Sequence, residues 1–261
     1  MILPYPPRSD LMPPDEHASG HYVVRYAQSL ADLDAVCRLR FEVFNRELGE
    51  GLASSEATGR DLDAFDAGCH HLMVWHRPSS ELVGTYRLQT RPMAEAHNGF
   101  YTAGEFDLSV IPDDILDACV ELGRACVAAS HRSGRVLHLL WRGLTRYLCF
   151  NRKRYFCGCS SLTSQDPRVS VATHRYLQDR GYMHPSLLVP PVDSFRCAVD
   201  GEQATEPVRV KIPHLMQLYL NYHVRVCSPP ALDRLFRTID FLVMFDEHDV
   251  QGRHCRVLFD R

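Results

Sequence analysis

The chain predicts an α+β fold, a mixed and mainly antiparallel sheet flanked by helices in a single domain, and three observations carry that prediction. Strand-like and helix-like runs follow one another as strand, helix, paired strands, strand, helix, strand, helix and terminal strand, without regular βαβ alternation. Two β-runs, His70–His76 and Glu81–Thr90, are separated only by the turn-like RPSS, as in an antiparallel hairpin. Two stretches, Ser29–Leu48 and Arg135–Phe150, repeat apolar residues at the helical period on one face. With 261 residues and 45% hydrophobic composition, the chain can bury one sizeable core.

The elements follow in order. Residues 1–19 contain five prolines and are otherwise polar, so disorder is expected there, with the folded domain spanning 20–261. HYVVRYAQS reads as a first strand. The helix from Ser29 to Leu48 puts Leu33, Val36, Cys37, Phe41, Phe44 and Leu48 on one stripe. A polar, acidic loop from Gly49 to Gly68 leads to the hairpin. DACVELGRACVA reads as a buried strand, and a helix begins after Ser133 and Gly134. YFCGCSSLT is the next strand, and Asp166-Pro167 opens a helix that stops at Gly181. Pro185, Pro190 and Pro191, then a polar stretch near Gly201, precede a short helix from Pro213 to Tyr222 and the strand TIDFLVMFD.

Several function classes lack support. The formal charge of −3 provides no global attraction for nucleic acid. No apolar run reaches the ~18 residues of a bilayer span, and the N-terminus has no secretory organisation, so a cytoplasmic protein is expected. The ten cysteines include no CxxC pair and read as reduced thiols. His70 and His71 have no third ligand at metal spacing and read as partly buried or surface residues, so no metal is expected. GxGxxG, GxxxxGK[ST] and GxSxG are all absent, which removes dinucleotide, P-loop and serine-hydrolase readings.

The informative residues are charges in apolar surroundings. Arg40 lies within the helical stripe, and a guanidinium there requires carboxylates to converge on it unless it snorkels at the stripe's edge. Glu121 and Arg124 stand inside the strand CVELGRACV, where residues three apart point to opposite faces. Either each is paired separately, or Gly123 marks a bulge that brings both toward one cleft. Arg87 is a third such charge, and Asp61, Asp63 and Asp66 in RDLDAFDAG can partner these arginines or form a solvated acidic loop. That loop lacks the spacing and terminal glutamate of a calcium loop. From Arg124 to Arg154 there are eight Lys or Arg residues and no acid. Arg135, Arg142 and Arg146 share one helical face opposite Leu137, Leu140, Leu144 and Leu148, either as a solvated face or as an attractor for an anionic partner. Phosphopantetheine on an acidic carrier protein, coenzyme A and an anionic membrane surface all suit that field.

Taken together, these residues resemble the hemolysin-like GNAT family that includes ornithine-lipid and glycine-lipid N-acyltransferases, and more distantly the acyl-homoserine-lactone synthases. The resemblance runs from about Tyr22 to Asp249. It is carried by Arg40 and Phe44 in LRFEVFNREL, Asp63 and Asp66 in DLDAFDAGCHH, Arg87 in VGTYRL, and Glu121 and Arg124 in ELGRACV. Further matches are Arg132 at the turn before the basic helix and the terminal segment SPPALDRLFRTIDFLVMFD, which resembles PAxDxxFxTxDFL; NYHVRVC stands where a Leu-Gly turn is the family pattern.

The resemblance implies a GNAT-like fold and transfer of a fatty or 3-hydroxyacyl group from acyl carrier protein or coenzyme A to the α-amino group of an amino acid such as ornithine. The product is then a lyso-aminolipid, the protein requires no cofactor, and contact with the membrane is at most peripheral. Glu121 is the expected general base, since a carboxylate in apolar surroundings binds protons more tightly, and Arg124 and Arg87 hold it or the acceptor carboxylate. Arg40, Phe44, Asp63, Asp66 and Arg87 are expected to shape the acceptor pocket, and Arg132, Arg135, Arg142 and Arg146 to meet the acyl donor. Two other functions satisfy part of the pattern: acyl-homoserine-lactone synthesis, and a non-catalytic module that binds an acyl carrier or lipid.

Overall fold

The structure, a computed structural model, describes residues 5–197, 210–250 and 258–259; the polar stretch near Gly201 lies outside them. In chain order the regular elements are β1 (His17–Ser19), β2 (Tyr22–Tyr26), α1 (Leu30–Phe41), β3 (His70–His76), β4 (Glu81–Thr90), α2 (Arg91–Ala96), α3 (Asp113–Asp117) and β5 (Cys119–Val127). They continue with α4 (Arg135–Phe150), β6 (Tyr155–Leu162), α5 (Pro167–Asp179), α6 (His214–Asn221), β7 (Arg225–Val226), β8 (Ala231–Asp233) and β9 (Thr238–Asp246). They gather into two compact units whose segments interleave along the chain: of the described residues, 5–100, 117–154 and 258–259 form the first, and 101–116, 155–197 and 210–250 the second.

In the first unit β1, β2, β3, β4 and β5 pair in sequence order, each antiparallel to the next. Alternation along the strands sends residues to opposite faces. On one face Leu72 of β3 meets α4 so closely that a Cβ on Gly143 would lie 2.7 Å from it, which explains the glycine inside that helix. On the other face Met73 clusters with Val36 of α1 and Ala27. Ser29 caps α1, its hydroxyl accepting from the Asp32 backbone N–H. After Phe41 the helix widens into a π-wound turn, Glu42–Leu48, so the single helix expected through Leu48 changes winding and Leu48 is turned out to solvent.

The N-terminal segment, expected to be disordered, is packed from Tyr5 onward. Met12 is buried, Tyr5 lies against the Val36–Met73 cluster, His17–Ser19 pair with β2, and the Leu11 carbonyl accepts from the Asn151 amide. Proline limits regular hydrogen bonding but not burial, and the interspersed apolar residues supply the area that holds the segment down. His70 and His71 are likewise fully buried, where partial exposure was expected. Burial drives both imidazoles down to about 4, so they are neutral at pH 7. His70 then donates from Nε2 to the Pro7 carbonyl at 2.6 Å and accepts at Nδ1 from the Tyr147 hydroxyl at 2.8 Å, pinning the N-terminal segment.

In the second unit β9 is the central strand, antiparallel to β6, β7 and β8. Phe156 of β6 lies opposite Phe245, with ring centroids 5.5 Å apart. The terminal SPPALDRLFRTIDFLVMFD is the β8–β9 hairpin, in which Asp233 pairs with Thr238 and Ala231 with Asp240. Asp166 caps α5 through the Arg168 N–H, with Pro167 at its first turn, as the sequence indicated.

Candidate active site

Three guanidinium groups from three elements meet three carboxylates of one loop. Arg40 of α1, fully buried, donates from Nε to Asp61 at 2.9 Å and from Nη1 and Nη2 to the two oxygens of Asp66 at 2.6 and 3.1 Å. Arg87 of β4 donates to Asp63 at 2.6 Å and to Asp66 at 3.1 Å. Arg124 of β5 donates to the second oxygen of Asp61 at 2.6 Å. Asp61 and Asp66 are completely buried, so the loop is not a solvated acidic run. Burial alone would raise the Asp66 pKa, but the charges of Arg40 and Arg87 hold it far below the carboxylate range. Burial likewise lowers the basicity of Arg124, with repulsion from Arg40 and Arg87 adding to it against the pull of Asp61.

The β4–β5 register explains how Arg124 reaches this cluster. Thr85 lies opposite Cys126 and Arg87 opposite Gly123, so Tyr86 alone faces the two residues Arg124 and Ala125. This is a β-bulge, one residue along from the position expected at Gly123, and the left-handed residue is Arg124 itself at φ 50°. Such a conformation costs a non-glycine residue about 1–3 kcal/mol and persists only where the surroundings over-determine it. Here the Asp61 ion pair and the Phe44 ring, 5.2 Å from the guanidinium, hold it.

Glu121 adjoins the cluster. It lies opposite Gln89, two residues along β4 from Arg87, and is buried to 5% exposure. Its carboxylate accepts from the Gln89 amide, which also donates to the Gly99 carbonyl at 3.2 Å, while Cys69 lies 3.6 Å from the Gln89 oxygen. His71 donates to the Asp66 carbonyl at 3.1 Å, and the Phe65 ring lies 5.5 Å from the Arg87 guanidinium. Sequence reasoning missed Gln89, His71 and the bridging role of Asp61. The available signal was a polar residue in ELVGTYRLQT sharing the face of Arg87.

The basic residues around α4 do not form one open face. Arg132 is paired with Glu47, Arg146 with Asp15 at 2.8 Å, and the Arg135 guanidinium lies 5.8 Å from the Tyr22 ring centroid. Arg142 and Arg146 line a cleft of about 310 Å³ with Val24, Leu139 and Phe259. Gly134, φ 90°, precedes the first residue of α4 and offers no side-chain cap, so the first N–H groups of the helix are available to an anion.

A second polar cluster lies in the other unit. Glu105, Asp233 and Asp240 are buried with oxygens within 4.8 Å of one another, a donor set that a hard cation can occupy. Burial, then repulsion from Asp240 and Asp233, raises the Glu105 pKa from 4.5 to about 9, so at neutral pH the cluster holds a proton. The unfolded chain releases that proton above pH 4.5 and the folded one only near 9, so this group's contribution to stability falls as pH rises between those values. Glu105→Gln is therefore expected to raise Tm more at pH 8.5 than at pH 5, measured by calorimetry. An equal shift at both pH values would count against the shared proton.

Residues 39–142, which contain the whole arginine–aspartate cluster and Glu121, match the acetyltransferase (GNAT) domain family. The chain superposes on the AHL synthase LasI with a TM-score of 0.50 at 11% identity, covering 93% of this chain and 96% of that one, a likeness of fold alone. Fold and matched segment thus place the chain in the GNAT class of acyltransferases. The chain is 30% identical to the L-ornithine Nα-acyltransferase of Brucella abortus (strain 2308), over 90% of its own length and 88% of that protein's. It is 29% identical to the same enzyme of Agrobacterium fabrum (strain C58), over 95% and 89%. It belongs to the L-ornithine Nα-acyltransferase family.

Proposed function

We propose that this chain moves a fatty or 3-hydroxyacyl group from the thioester of an acyl carrier protein, or of coenzyme A, to the α-amino group of ornithine. The product is a lyso-aminolipid. The observation that carries the reading is Glu121 set beside a closed network of three arginines and three aspartates, within the segment shared with the family. A neutral α-amine attacks the thioester carbonyl, the C–N bond forms, the C–S bond breaks, and the sulfur leaves as a thiolate that collects the amine proton by way of Glu121. Glu121 takes the amine proton, Arg87 and Arg124 orient the acceptor carboxylate, and Arg40, Asp63, Asp66 and Phe44 keep that pocket rigid. Arg132 and the uncapped start of α4 receive the donor phosphate, with Arg135, Arg142 and Arg146 attracting an acidic carrier.

No cofactor enters this reading, because the thioester already carries the activated acyl group. The amphiphilic product favours a peripheral visit to the inner membrane leaflet, and among the described residues no helix is long and apolar enough to cross a membrane. The test is an incubation of the purified chain with 3-hydroxyacyl carrier protein and an equimolar mixture of amino acids, ornithine and glycine included, read by mass spectrometry. N-acyl ornithine is the expected product. Failure to form any acyl amide with either donor overturns the proposal.

A further inference from the structure

The π-wound turn after α1 touches both halves of the proposed chemistry. At one point Phe44 packs against Arg124 of the acceptor-side cluster. Three residues later Glu47 places both carboxylate oxygens on the terminal nitrogens of Arg132, at 2.7 Å for Nη2. The remaining nitrogen of Arg132, Nε, donates to the Val127 carbonyl at 3.0 Å, which aims the guanidinium fork at Glu47. A carboxylate seated on both prongs of an arginine has the geometry of a phosphate on the same fork. The arginine so occupied stands two residues before Gly134, which precedes α4 without a side-chain cap. Its hydrogen bonds and charge hold Glu47 below the usual carboxylate range, so the acid is ionised at neutral pH.

We propose that Glu47 is a positioning residue that occupies the donor-phosphate place on Arg132 in the unliganded protein and is displaced when the acyl donor binds. This rests on the acyl-transfer reading and on Arg132 as a donor contact. Both partners are more than a third exposed, and an ion pair at such a surface is worth little, so a dianionic phosphate can displace the carboxylate. The competition costs the donor at most about fivefold in affinity.

The test compares wild type, Glu47→Gln, Arg132→Ala and the double variant, as full chains, with acyl carrier protein thioester as variable substrate and saturating ornithine. Glu47→Gln should lower the donor KM by about two- to fivefold while kcat holds, and the gain should vanish when Arg132 is also replaced. A merely structural ion pair predicts the reverse sign, a weaker donor and a lower melting temperature. An unchanged or raised donor KM in Glu47→Gln, with wild type turning over, overturns this inference alone. Absence of turnover in wild type with either donor removes the acyl-transfer reading and this inference with it.

Discussion

Replacing Arg40 with alanine should destabilise the chain by about 3–5 kcal/mol, read as a fall in the midpoint of urea unfolding at neutral pH. The change removes one of the two arginine partners of each of two carboxylates that have no exposure to water, leaving Arg87 and Arg124 to balance three aspartates, and the loss is a large fraction of the 5–15 kcal/mol that typically separates folded from unfolded states. A companion variant, Arg40→Met with Asp61→Asn, should recover part of the loss, because the penalty lies chiefly in the stranded charge rather than in the missing bond. A loss below about 1 kcal/mol for Arg40→Ala would mean that Arg87 and Arg124 satisfy the three aspartates without Arg40, and the account of Arg40 as a necessary member of the buried network would fail.

The second large effect concerns Glu121. Glu121→Gln preserves shape, and its amide oxygen can still accept from Gln89, so the unfolding midpoint should remain near that of wild type. The rate of N-acyl ornithine formation should fall about 10²- to 10⁴-fold, the usual contribution of a positioned general base. Donor binding, measured separately by titration with the acyl carrier protein thioester, should be unchanged. A rate within tenfold of wild type would remove Glu121 from the chemistry and leave the arginines to position an amine that deprotonates in solvent. Measuring both quantities separates a catalytic loss from a folding loss.

How far the site could be read in advance differs residue by residue. Arg40, Arg87, Glu121 and Arg124 announced themselves because an ionised group inside an apolar run is expensive, and the cost is visible in a single element. The loop that supplies their partners was also legible, but the pairing within it was not. Asp61, Asp63 and Asp66 look equivalent along the loop, yet Asp61 bridges Arg40 and Arg124 while Asp63 serves Arg87. Which oxygen meets which nitrogen depends on where three elements cross, and no local pattern holds that distance. The bulge is a similar case. A break in β5 was legible from two charges of conflicting parity, and glycine is the natural residue for it, but the network on its far side imposes the left-handed conformation on Arg124 instead. The acidic trio in the second unit was hidden because Glu105 is separated by more than 120 residues from Asp233 and Asp240.

By itself the sequence indicated the order and kind of the main elements, the β3–β4 hairpin closed at the RPSS turn, and charges set inside apolar runs on α1, β4 and β5. Periodicity and the cost of burying charge are properties of neighbouring residues, so they survive in one dimension. The tertiary structure alone decided that the proline-rich start is packed, that His70 and His71 are neutral and buried, and that Arg132 is held by Glu47 rather than presented bare. Each of these depends on a second surface arriving from elsewhere in the chain. Burial, proton affinity and ion-pair choice are set by that arrival, and a residue's own neighbours do not encode it.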